Sequence, residues 1–144
     1  MLKGKVILLI SICLFLSACN KQSQGFNLPV GNAEQGKVNF ILLACNNCHS
    51  VEDVDWNGAD REMPINVSLG GKMSRIKTYG DLITSIINPS HKLSRGNNPT
   101  TITEDGKSKM RKYNDVLSVQ ELIDLVQFLQ SKYEIYIPQT YLYL

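Results

Sequence analysis

Five consecutive residues, Cys45-Asn46-Asn47-Cys48-His49, constrain this chain more than any other stretch. A C-x-x-C pair can close a disulfide or act as a redox couple, but such pairs follow a strand in an alternating strand and helix pattern. No such alternation surrounds residues 45–48. A zinc site would have to join Cys45, Cys48 and His49 to the distant His91. Adjacent Cys48 and His49 make awkward tetrahedral partners, and the chain has no second C-x-x-C and no H-x-x-x-H. The third reading is a C-x-x-C-H attachment site for c-type haem. Two thiols one helical turn apart can add across the two vinyl groups on one porphyrin edge, while the neighbouring imidazole reaches the iron. Three bonds then hold the cofactor permanently, which suits an exported carrier that could not easily be reloaded outside the cytoplasm. We therefore expect one covalent haem c, with Cys45 and Cys48 as its anchors and His49 as the proximal iron ligand.

The N-terminus supplies the matching address. Residues 1–5 carry Lys3 and Lys5, and residues 6–16 form an apolar run interrupted only by Ser11, too short to span a bilayer and right for a secretory signal. Leu16-Ser17-Ala18-Cys19 closes that run, and the whole resembles a bacterial lipoprotein signal. The resemblance implies cleavage after residue 18 and lipidation of Cys19, which anchors stably because each buried methylene contributes about 0.8 kcal/mol and several chains add. Asn20 in place of the inner-membrane retention aspartate favours the outer membrane. Residues 20–30 are polar with no apolar period and read as a tether reaching at most about 35 Å. The expected organisation is thus a signal over 1–18, a lipidated tether over 19–30, one domain over 31–133 and a tail over 134–144. Cys13 leaves with the signal, so the mature chain has no cysteines to spare for a structural disulfide.

Composition narrows the rest. In 144 residues, 43% are hydrophobic and 19% charged, which excludes wholesale disorder and leaves room for one modest domain. Removing residues 1–18 takes Lys3 and Lys5 and no acid from the 15 basic and 13 acidic residues, leaving 13 of each. That balance excludes the strong basicity of a dedicated nucleic-acid binder. Three stretches have helical period. Residues 32–44 lead into Cys45. Residues 79–88 repeat Tyr79, Leu82, Ile83, Ile86 and Ile87 on one face, opened by Thr78 with Asp81 and stopped by Pro89. Residues 118–133 open with a Ser118/Glu121 capping box and run through Leu122, Leu125, Val126 and Leu129. The intervening segments 50–77 and 89–117 are long for a compact domain unless they hold something. Residues 134–137 alternate like a strand, and the tail reads either as packing across the surface or as a partner-binding arm.

The order Gly36, Phe40, Cys45, Cys48, His49, a middle helix, a methionine and a capped last helix resembles the class I c-type cytochromes over residues 31–133, and in particular the small monohaem lipoprotein cytochromes of proteobacteria. The resemblance implies an all-α cytochrome c fold, with three main helices and long loops wrapped around one covalent haem. It also implies a close crossing of the first and last helices at Gly36, Phe40 and Phe128. For the sixth iron position the mature chain offers Met63, Met73, Met110 and His91. Met110, in a loop before the last helix with Tyr113 three residues on, matches the family's M-P-x-Y pattern and is the expected distal ligand, although Arg111 stands where the family has proline. Met63 precedes a proline but lies too close to His49, and His91 would give a bis-histidine site. The family's G-P-x-L-x-G loop falls on residues ending Leu69 and Gly71, with Val67 at the proline whose carbonyl receives the proximal histidine's second nitrogen, so the resemblance leaves that acceptor open here.

A thioether on iron raises the potential above that of a bis-histidine haem, and a closed six-coordinate site leaves no room for a substrate. The expected function is a membrane-tethered electron carrier on the periplasmic face of a bacterial membrane, not itself an enzyme, with no nucleic-acid or small-molecule partner. The alternatives are the cytochrome subunit of a periplasmic oxidoreductase, or a haem sensor or peroxidase-like protein with a labile sixth ligand. No acid–base pair suited to peroxidase chemistry is evident. Lys107, Lys109, Arg111 and Lys112 surround the expected ligand, which suggests redox partners with an acidic docking surface, whereas Glu52, Asp53, Asp55, Asp60 and Glu62 follow the C-x-x-C-H run.

Overall fold

The computed structural model describes residues 28–62, 64–75, 77–94 and 97–136. Among the described residues, three helices of real length form where the apolar period lies. Helix α1, Ala33–Leu42, starts on Asn32, whose side chain accepts the free N–H groups of Glu34 and Gln35. Helix α2, Tyr79–Ile87, and a longer C-terminal helix, Val119–Ser131, both open with reciprocal capping boxes, Thr78 with Asp81 and Ser118 with Glu121. A single turn, α3, Pro99–Ile102, precedes the C-terminal helix, which is therefore α4.

The expectation of an all-α fold is corrected. Among the described residues, six short strands form three two-stranded pairings, so the protein is mixed α and β. Strand β1 (His49–Ser50) runs parallel to β2 (Val67–Ser68), and β3 (Gly71–Met73) runs parallel to β6 (Tyr133–Ile135). Strands β4 (Thr103–Glu104) and β5 (Lys107–Ser108) form an antiparallel hairpin whose turn places Asp105 and Gly106 in the left-handed region. Strands of two or three residues are too short to show a period of two, so the long segments read from sequence as featureless loops. The start of the tail is one of these strands. β6 follows α4 after Lys132 and closes on β3, with the Tyr136 N–H donating to the Met73 carbonyl.

The core lies where α1 crosses α4, with α2 packed against α4. Gly36 permits the crossing: a Cβ there would overlap the Asp124 carbonyl and come within 2.7 Å of the Phe128 Cβ. One turn on, Phe40 and Phe128 meet with ring centroids 5.7 Å apart and planes tilted by 60°. Asp124, buried at the crossing, accepts from the Asn32 N–H at 2.8 Å and from Gln120 at 2.9 Å, which ties the start of α1 to α4. Among the described residues, no helix is long and apolar enough to cross a membrane.

Candidate functional site

Helix α1 does not run into the cysteines as the sequence suggests. It ends at Leu42, and Ala44 turns into the left-handed region at φ 57° before a single 3-10 turn, Cys45–Asn47, carries the chain into His49. Between the cysteines, Asn46 is buried and works as a staple. Its side chain donates to the Asp55 carbonyl at 3.0 Å, and its own carbonyl accepts from the Asn57 N–H at 3.0 Å. The loop after the motif is thereby folded back beneath it.

The β1–β2 register sets the histidine. His49 stands opposite Val67, the Val67 N–H donates to the Cys48 carbonyl at 2.9 Å, and the His49 ring Nδ1 lies 3.1 Å from the Val67 carbonyl. A carbonyl can only accept, so Nδ1 carries the proton and Nε2 presents its lone pair. Burial lowers the imidazole pKa from its ordinary value, with the Val67 hydrogen bond acting in the opposite sense. The neutral ring that results is the form that binds metal. The acceptor that the sequence left open is therefore the main-chain carbonyl of Val67.

Cys45, Cys48 and His49 open onto a cavity of about 750 Å³, within the range of about 300–1,000 Å³ typical of ligand and cofactor pockets. Its apolar walls are core side chains, Phe40 from α1, Leu82 and Ile86 from α2, and Leu125 and Leu129 from α4. Met110 and Met73 reach the same cavity, whereas His91 is exposed and is not among its lining residues. The Met110 segment is pinned to the cysteine segment by Tyr113, which is buried and donates its hydroxyl to the Leu43 carbonyl at 3.0 Å, two residues before Cys45. Cys19 and Met63 lie outside the described residues.

These features are compatible with a covalently held haem. Cys45 and Cys48 are both free thiols, and burial pushes the Cys45 thiol up to about 11. A zinc site needs three or four convergent ligands, and no group of three or more His, Cys, Asp or Glu side chains converges among the described residues. An apolar cradle with two thiols on one wall, an imidazole whose second nitrogen is already occupied and a thioether within the same cavity suits a macrocycle with a central iron.

The rim is basic. Among the described residues, Lys72, Arg75, Lys77, Lys92 and Lys109 line the cavity against a single acid, Asp81. Only Lys109 belongs to the cluster visible in the sequence. The other four come from segments that read as loop or helix flank, and that β3 and the loop after α2 line one cavity is not written in either segment alone. The acidic run at 52–62 stands away from the lining, and Asp53 pairs with Lys132 at 2.5 Å, which holds its carboxyl below the usual aspartate range. Comparison with protein-family models, with curated proteins and with solved structures finds no match for this chain.

Proposed function

We propose that the protein is a lipid-anchored monohaem c-type cytochrome that passes single electrons between redox partners on the periplasmic face of a bacterial membrane. The observation that carries this reading is the shared cavity. Cys45, Cys48 and His49 open onto it with the His49 Nδ1 already committed to Val67, and Met110 lines it as well. Bound there, haem supplies a one-electron iron couple.

The chain's own residues account for the rest. Cys45 and Cys48 would hold the haem covalently through their sulfurs, and His49 Nε2 and Met110 Sδ would bind its iron. The Val67 carbonyl fixes the tautomer and orientation of the His49 ring and strengthens it as a donor. With a haem held there, the Met110 thioether and the apolar walls supplied by α1, α2 and α4 would favour its reduced state. Basic residues on the rim favour partners with an acidic face and act chiefly on the rate of encounter. Cys19 would hold the domain at the membrane through acyl chains and the tether after it.

The test is an absorption spectrum of the mature protein, made with haem-maturation machinery and examined oxidised and reduced. Covalently retained haem and a thioether-to-ferric charge-transfer band are expected in the wild type. The band should vanish in Met110→Ala and persist in Met73→Ala. A protein that carries no covalent haem would falsify the reading. Carbon monoxide binding by the native ferrous protein would instead assign it a labile sixth position.

A further inference from the structure

Met110 sits in a segment with little of its own to hold it. Lys109, Arg111 and Lys112 are exposed, so between Ser108 and the buried Tyr113 Met110 is the one side chain that is partly buried. The backbone must therefore be placed by hydrogen bonds. The Met110 N–H donates to the Ser108 hydroxyl at 3.2 Å, and the Ser108 N–H donates to the Ser90 hydroxyl at 3.1 Å. The Lys109 N–H between them donates to the carbonyl of Ile102, a buried residue on the cavity wall. Ser90 follows directly on Pro89, which is itself buried against the cavity where α2 has ended. A chain of two hydroxyls thus runs from the end of α2, through β5, to the backbone of Met110.

We propose that Ser90 and Ser108 are positioning residues for the sixth ligand: they hold the Met110 backbone so that its thioether stays directed into the cavity. The inference rests on the reading of Met110 as the distal iron ligand. It gives two half-buried, uncharged serines a role beyond packing. Each hydroxyl here accepts an N–H that would otherwise have no protein partner at a half-buried position, and such groups are costly to leave unpaired. Removing one frees the segment to carry Met110 away from the iron position, while the covalent anchors at Cys45 and Cys48 keep haem in place.

The test compares Ser108→Ala, Ser90→Ala, Ser108→Thr and Met110→Ala as haem-loaded proteins. The readouts are the thioether-to-ferric charge-transfer band and carbon monoxide binding by the ferrous form. Both alanine variants should lose band intensity and bind carbon monoxide that the wild type refuses, with covalent haem content unchanged. Threonine, which keeps the hydroxyl, should restore both properties. Should Ser108→Ala fail to accumulate, Ser90→Ala removes the same relay from a different segment and decides the matter. Alanine variants that keep the full band and exclude carbon monoxide overturn the relay while leaving Met110 as ligand. A threonine variant as defective as alanine overturns it too, by assigning the effect to β5 itself. A band that survives Met110→Ala overturns both the relay and the ligand assignment.

Discussion

Replacing Gly36 with alanine should destabilise the protein, although alanine is the better helix former. Gly36 lies within α1, where the substitution by itself would gain about 1 kcal/mol. Against that gain, the new methyl would overlap the Asp124 carbonyl and approach the Phe128 Cβ to 2.7 Å. Neither neighbour is the free end of a flexible side chain, so relief requires α1 and α4 to move apart. Overpacking of this kind costs about 1–3 kcal/mol, and backbone contact puts it at the upper end, leaving a net loss of about 1–2 kcal/mol. For a domain of this size each kcal/mol shifts the midpoint by about 4–8 °C, so thermal unfolding followed by far-UV circular dichroism should show a fall of about 5–10 °C at equal haem loading. Gly80→Ala is the control. It lies in α2 with nothing within 4 Å of its Cβ and should raise the midpoint or leave it unchanged. Equal gains in the two variants would refute the argument that the α1–α4 crossing depends on Gly36. The consequence reaches the site, because Phe40 on α1 and Leu125 and Leu129 on α4 are walls of the cavity.

Tyr113→Phe should cost about 1–2 kcal/mol in denaturant unfolding, because the Leu43 carbonyl loses its partner, and it should weaken the charge-transfer band by loosening the Met110 segment. Stability unchanged from wild type would show that this hydrogen bond contributes nothing. Ser118→Ala removes the cap of α4 and should cost about 1 kcal/mol at neutral pH. The hydrogen bonds from Ser118 hold the Glu121 carboxyl below its ordinary value of 4.5. The contribution of Glu121 is therefore present above that value and lost as pH falls through the lowered one. The gap between wild type and Ser118→Ala should narrow in acid, and a gap that widens there would contradict the capping-box account. Lys109→Glu should slow electron transfer to a partner with an acidic face at low salt, with the two proteins converging as the Debye length shortens below about 10 Å. Rates indifferent to both charge reversal and salt would dismiss the basic rim as a docking surface.

Much of the frame was legible in the chain itself. The caps at Asn32, Thr78 and Ser118, the stop at Pro89 and the stripe Tyr79-Leu82-Ile83-Ile86 are local signals, and helices form on local signals. The close approach at Gly36, Phe40 and Phe128 was anticipated from resemblance and appears in the packing. Apart from the alternation at 134–137, where β6 forms, the strands were not legible, because each is two or three residues long and most exist only through a partner far along the chain: residue 49 with residue 67, and residues 71–73 with residues 133–135. For the same reason an all-α reading failed.

By itself, the sequence determined the chemistry available: two thiols and an imidazole at C-x-x-C-H spacing, a small set of thioethers, and three helices with their ends marked. Only the tertiary structure decided which groups meet. It turned the Val67 carbonyl onto His49 Nδ1, brought Met110 and Met73 but not His91 to the cavity, and gathered Lys72, Arg75, Lys77 and Lys92 onto one rim. The physical reason is range. Caps and helical stripes are set by neighbours within a few residues, whereas a cavity is enclosed by packing between distant segments, and no stretch of chain carries the other's coordinates.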